Sequence, residues 1–106
     1  MRILFDQGTP APLRHALANH SVETAYERHW SSLKNGELIA AAQAAGFDIF
    51  VTTDKNLRYQ QNLSVRGIAI LVLPTTSWPR LQRALPQVVL AIDTVSVGAY
   101  IEVVVQ

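Results

Sequence analysis

Asp48-Ile49-Phe50-Val51-Thr52-Thr53-Asp54 is the stretch on which the fold turns. Ile49 to Thr53 are all β-branched or aromatic, so they read as a strand. Asp48 stands at its entrance and Asp54 at its exit. Further out lie two other apolar runs. Ile68-Ala69-Ile70-Leu71-Val72-Leu73 suits a buried strand between Gly67 and Pro74. Arg2–Phe5 is short and continuously apolar, as a strand buried on both faces is. Ser21–Tyr26 supplies a weakly patterned strand, and Tyr100–Val105 a last one after Gly98.

Helical patterns fill the gaps between these strands. Leu13, Ala16 and Leu17 predict a helix over 10–19, with Thr9 as N-cap and Pro10 at its first position. Leu38, Ile39, Ala41, Ala42 and Ala45 form an apolar face on a helix that Asn35 can cap and Gly46 can stop. Asp54 can cap a short polar helix over 55–63. Ser77 opens a helical region carrying Leu81, Ala84, Leu85, Val88, Val89 and Ile92, in which Pro86 requires a kink or a restart. Strands alternating with helices predict an α/β fold, a mainly parallel five-stranded sheet covered on both faces, over residues 1–106 as one domain.

Composition narrows the function classes. The 106 residues contain no cysteine, which excludes a disulfide scaffold, a Cys-ligated zinc site and a thiol nucleophile. With 49% hydrophobic and only 16% charged residues the chain is not disordered in type. Nine basic residues against eight acidic ones give a net charge of +1, too little to bind a polyanion by bulk attraction. Any such partner has to be held locally. His15, His20 and His29 make no zinc spacing. No phosphate-binding glycine loop or G-x-S-x-G elbow is present. Asp6 interrupts the apolar start where a signal peptide would continue, and no run is long enough to span a membrane. A cytoplasmic, non-membrane protein is expected.

The acids acquire meaning from the topology. Sites in open α/β sheets lie outside the carboxyl ends of the strands. Asp6 follows the first strand, Asp54 the third, and Glu37 falls in the first turn of the helix after the second. All three are expected on that edge, and Asp48 and Asp93 on the opposite one. Converging carboxylates need a proton, a base or a metal. Their hard oxygens suit Mg²⁺ or Mn²⁺, with the amide of Asn56 as a fourth donor. Spacing alone favours the plainer reading of Asp6 and Asp54 as caps of turns or helices and solvated charge.

At these residues the chain resembles the PIN-like nuclease superfamily, which includes many toxins of bacterial toxin–antitoxin pairs. The likeness lies in Ile3-Leu4-Phe5-Asp6, in Asn35-Gly36-Glu37-Leu38, and in Val51-Thr52-Thr53-Asp54-Lys55-Asn56. Leu4-Phe5-Asp6-Gln7-Gly8-Thr9-Pro10 also looks like the opening of the small, minimal PIN-like proteins. The resemblance implies a three-layer α/β/α fold and metal-dependent RNA cleavage. It further implies that Asp6, Glu37 and Asp54, assisted by Asn56, hold the divalent metal. Such an ion polarises a phosphoryl oxygen and acidifies a bound water that attacks in line. Thr9 and Thr53 stand for the family's recurring hydroxyl near the first acid. Gln7 and Asn56 stand where the family often has acids, which lowers the charge of the site.

Segment 55–83 carries Lys55, Arg58, Arg66, Arg80 and Arg83 and no acid. Lys55 and Arg58 adjoin Asp54 and are candidates for gripping RNA phosphates. Tyr59 is a candidate for stacking a base. A second patch, Tyr26 to Trp30, offers Arg28 for phosphate and Trp30 for stacking, although a tryptophan in a small domain more often packs in the core. Three functions follow as expectations. The first is a metal-dependent endoribonuclease, in the manner of an antitoxin-controlled toxin. The second is a PIN-like module that binds without cleaving. The third, a phosphoacceptor receiver domain, is disfavoured by Gln7 and by a final strand that ends without lysine. The apolar end Val103-Val104-Val105 is an edge that a homodimer or an antitoxin peptide could cover.

Overall fold

The computed structural model describes residues 1–55 and 67–104. Five strands carry the fold: β1 (Arg2–Phe5), β2 (Ser21–Thr24), β3 (Ile49–Thr52), β4 (Ala69–Val72) and β5 (Tyr100–Glu102). Among the described residues there are four helices: α1 (Leu13–Ala16), α2 (Asn35–Ala44), α3 (Trp78–Arg83) and α4 (Leu85–Thr94). All strand pairs are parallel, in the order β2-β1-β3-β4-β5. The predicted helix over 55–63 lies outside the described residues, apart from Lys55.

Strand alternation divides the core between the two faces of the sheet. Ile3, Phe5, Ile49, Val51, Ala69 and Leu71 point to one face, where Leu13 and Leu17, then Leu81, Ala84, Val88 and Ile92, cover them. Leu4, Phe50, Ile70 and Val72 point to the other, against Leu38, Ile39 and Ala42 of α2. The three-layer expectation therefore holds. Because β1, β3 and β4 are covered on both sides, Ile3–Phe5, Ile49–Val51 and Ala69–Val72 read as unbroken apolar runs in the sequence. No helix among the described residues is long and apolar enough to cross a membrane.

Element boundaries differ from expectation where local chemistry intervenes. The region 10–19 yields a helix of only four residues. Its backbone is closed mainly by three-residue bonds: Leu13 N–H to Pro10, Arg14 N–H to Ala11 and His15 N–H to Pro12. Pro10 and Pro12 have no N–H to give, and the Thr9 hydroxyl is used elsewhere. Asn35 lies inside α2 rather than capping it; the cap position belongs to Lys34. Pro86 causes a restart, as expected, because it sits in the first turn of α4, where no N–H is needed.

The crossovers do not all share one hand. From β1 to β2 the chain steps one way along the sheet with α1 on one face. From β2 to β3 it steps back with α2 on the opposite face, so these two connections have the same hand. The β4-to-β5 connection also steps in the β2-to-β3 direction, yet α3 and α4 lie on the face of α1. It has the opposite hand, an arrangement rare among parallel crossovers. Its effect is to put α3 and α4 on the same face of the sheet as α1.

Helix α2 ends in a Schellman turn. Phe47 N–H bonds the Ala42 carbonyl at 3.0 Å and Gly46 N–H the Gln43 carbonyl at 3.1 Å. Gly46 has φ +83°, and a Cβ there would lie 3.1 Å from Arg2 Nη1. Arg2 in turn donates to the Ala45 carbonyl, so the turn is held from the sheet as well. Gly46→Ala should therefore lower unfolding free energy by about 1–2 kcal/mol, the usual penalty for a side chain in the left-handed region. Urea denaturation followed by circular dichroism measures this, and an unchanged midpoint would refute the role assigned to the turn.

Candidate active site at the carboxyl edge of the sheet

Asp6 leaves β1 and is aligned beside Thr52, the last residue of β3, on the same face of the sheet as Leu4 and Phe50. Its Oδ2 accepts the Thr52 hydroxyl at 2.5 Å. Its Oδ1 accepts the Thr9 hydroxyl at 2.7 Å, and that hydroxyl also lies 3.1 Å from the Val51 carbonyl oxygen. The Asp6 N–H donates to the same carbonyl at 3.1 Å. Both carboxylate oxygens are thus oriented by hydroxyls, and each still has a lone pair for a further partner.

Thr52 joins the first acid to the third. While its hydroxyl donates to Asp6, its Oγ1 accepts the Asp54 N–H at 3.1 Å. One buried threonine therefore fixes the Asp6 side chain and the Asp54 backbone together. Gly8 packs tightly against this pair. A Cβ at Gly8 would come within 2.7 Å of Thr53 Oγ1, so no side chain fits there without displacing Thr53. Gln7 and Lys55 are exposed, whereas Asp6, Thr53 and Asp54 are partly buried.

Glu37 shares this edge by topology, but its carboxylate is engaged locally. Its Oε1 accepts the Lys34 N–H at 3.1 Å, in the first turn of α2, and its side chain is exposed. Among the described residues no group of three His, Asp or Glu side chains is gathered to hold a single metal ion. A three-carboxylate cage is therefore not what the carboxyl edge presents. Two carboxylates, those of Asp6 and Asp54, stand at the exits of the neighbouring strands β1 and β3. That donor set fits Mg²⁺, which commonly takes one or two protein carboxylates and completes its shell with water and substrate phosphate. Asp48 and Asp93 lie at the opposite edge, where Asp48 accepts the Arg2 N–H at 2.8 Å and Asp93 pairs with His20 at 2.9 Å.

The second expected patch is largely structural. Arg28 turns back over the sheet, with Nε 3.0 Å from Glu23 and its guanidinium over the Trp30 and Phe47 rings. Arg2 pairs with the same Glu23 and also lies over Phe47. Trp30 meets Phe47 edge-on, the packing role that a tryptophan in a small domain commonly has. Tyr26 and His29 remain exposed beside an open cleft, with His29 at φ +62°. Asn56, Arg58 and Tyr59 lie outside the described residues.

Thr52 is the site residue that sequence reading passed over in favour of Thr53. Period-two alternation could have found it. With Leu4 opposite Phe50, residues 6 and 52 fall on the same face, whereas residue 53 does not.

No protein-family model, curated protein or solved structure matches the chain. The geometry of the edge is accordingly read on its own terms.

Two predictions test this geometry. Thr52→Val removes the bridge and should cost about 1.5–3 kcal/mol of stability, the range for a hydrogen bond to a charged group. Thr52→Ser should retain most of it, and equal urea midpoints for all three proteins would count against the bridge. The second concerns Glu27, whose carboxyl is held below the usual range, chiefly by Arg14 and further by the Thr24 N–H. A lowered folded-state pKa stabilises above the unfolded value and loses that contribution as pH falls through the folded one. In an NMR titration Glu27 should therefore protonate at lower pH than an ordinary glutamate, and Arg14→Gln should raise its midpoint. An ordinary midpoint in the unsubstituted protein would contradict the pairing.

Proposed function

We propose that the chain is a cytoplasmic, metal-dependent endoribonuclease of PIN-like type, with Asp6 and Asp54 as its principal metal-holding acids. The observation that carries this reading is the Thr52 bridge, which orients one carboxylate and positions the backbone of the other at the carboxyl edge of a parallel sheet. The order of elements, the acid after the first strand and the acid after the third agree with the family resemblance. The relevant cofactor is Mg²⁺ or Mn²⁺; when bound, it would supply Lewis-acid polarisation of a phosphoryl oxygen and a more acidic water.

The chain's own residues have definite tasks in this scheme. Thr9 and Thr52 orient the Asp6 carboxylate. Gly8 lets the β1 exit pass close to Thr53 at the β3 exit. Lys55, exposed and next to Asp54, meets an RNA phosphate beside the one being cut. Glu37 contributes charge at the edge while ordering the start of α2. Control by an antitoxin and assembly as a homodimer belong to the same reading.

A second reading, a PIN-like module that binds without cleaving, draws on two observations: Gln7 in place of an acid, and the absence of a three-carboxylate group among the described residues. The two readings separate in one experiment. The purified protein should cleave a single-stranded oligoribonucleotide with Mn²⁺, and Asp6→Asn or Asp54→Asn should each reduce the rate by at least about a hundredfold, as loss of an electrostatic catalytic group does. Calorimetry should show Mn²⁺ binding that both substitutions weaken. Cleavage that survives both substitutions and EDTA would overturn the nuclease reading, and the absence of Mn²⁺ binding at millimolar metal would favour the binding module.

A further inference from the structure

At the carboxyl ends of β4 and β5, beside α3, lies a cavity of about 550 Å³ that Lys55, the neighbour of Asp54, helps to line. Its walls come from three segments that leave the sheet at the carboxyl edge and from one helix. Lys55 follows Asp54 at the β3 exit; Leu73, Pro74 and Thr75 follow β4; Val103 and Val104 follow β5. Arg80 and Arg83 project from α3 three residues apart, so they lie on one side of that helix. Two walls differ in kind. Leu73, Pro74 and Val103 make an apolar floor, and the three cations make a basic rim.

Charge does not cancel in this cavity. Three cations face one carboxylate, that of Glu102, which accepts the Tyr100 hydroxyl at 2.9 Å. Among the described residues, Lys55, Arg80 and Arg83 form no ion pair, unlike Arg2, Arg14 and Arg28. Thr75 adds a neutral hydroxyl whose oxygen accepts the Ser77 N–H at 3.0 Å and whose hydrogen that bond does not use. The space is far larger than a bare oxyanion needs and lies within the range of small organic ligands. An apolar floor with a cationic rim calls for a ligand that joins a flat, weakly polar body to a phosphate.

We propose that this cavity seats a nucleotide unit, with its base or sugar on the Val103–Pro74 floor and its phosphate between Arg80, Arg83 and Lys55. Only the natural carrier of that nucleotide, an RNA strand extending past Asp54, rests on the nuclease reading. The short connection from β4 to α3 is what makes the seat, because it keeps Arg80 and Arg83 beside the exits of β4 and β5.

The test is equilibrium binding of a fluorescent oligouridine, in EDTA, to the full chain and to Arg80→Ala, Arg83→Ala and the double variant. Both arginines are exposed, so the variants should keep the parent's circular dichroism and urea midpoint. Each single variant should bind about tenfold more weakly, the effect of losing one charge-assisted contact, and the double variant about a hundredfold. The slope of log affinity against log salt should shrink by about 0.7 for each arginine that meets a phosphate. Uridine monophosphate should compete if the seat accepts a free nucleotide; competition only by longer strands assigns it to RNA. Equal affinity and salt slope in all four proteins would overturn the proposal. So would displacement by an oligoglutamate of matched charge as effective as that by oligouridine. If cleavage depends on Asp6 while the arginine variants bind normally, the seat fails and the nuclease reading stands. If the arginine variants lose binding while no protein cleaves with Mn²⁺, the seat stands and the nuclease reading fails.

Discussion

The clasp of two threonine hydroxyls on the Asp6 carboxylate is the constraint on which the carboxyl edge depends. A carboxylate at the end of a buried strand would otherwise be a partly desolvated charge with no fixed direction. Thr9 reaches it from the turn after β1, and Thr52 reaches it from β3. Because Thr9 also meets the Val51 carbonyl, and Thr52 also receives the Asp54 N–H, the same two hydroxyls tie the exits of the first and third strands together. The parallel register of β1 and β3 puts these groups level, so the site follows from the pairing in the middle of the sheet.

Fold class was legible because both faces of the sheet are covered. Ile3–Phe5, Ile49–Val51 and Ala69–Val72 are continuous apolar runs for that reason, and the helix patterns between them point one apolar side inward. Edges were less legible. Ser21–Thr24 and Tyr100–Glu102 each have one pairing neighbour, and their ends are set by backbone bonds that composition does not encode. The shortness of α1 came from two prolines, visible in the sequence, but their joint effect depends on where Thr9 spends its hydroxyl. The hand of the last crossover left no sequence signal at all, since the same apolar face on α3 and α4 could have packed on either side.

The candidate site was legible to a similar depth. Topology brought Asp6, Glu37 and Asp54 to one edge, but sharing an edge is a coarser condition than sharing a ligand. Glu37 shows the difference: its carboxylate reaches the backbone of Lys34, a partner three residues away that any first-turn glutamate can find. Arg28 shows it again. Its position after β2 suggested a surface cation, whereas Glu23, Trp30 and Phe47 form a ready-made seat for a guanidinium on the sheet face. Net charge was the least informative quantity, because cations used inside the fold and cations left on a cavity rim count the same.

The close approach of Gly8 to Thr53 has a further consequence for how this edge can vary. On one side of Gln7 stands an aspartate held by two hydroxyls, and on the other a glycine at which a side chain would have to displace Thr53. Gln7 itself is exposed between them. The edge therefore combines an immovable acid with an adjustable neighbour. Exchange of that one side chain can alter the field at the edge without repacking the scaffold beneath it.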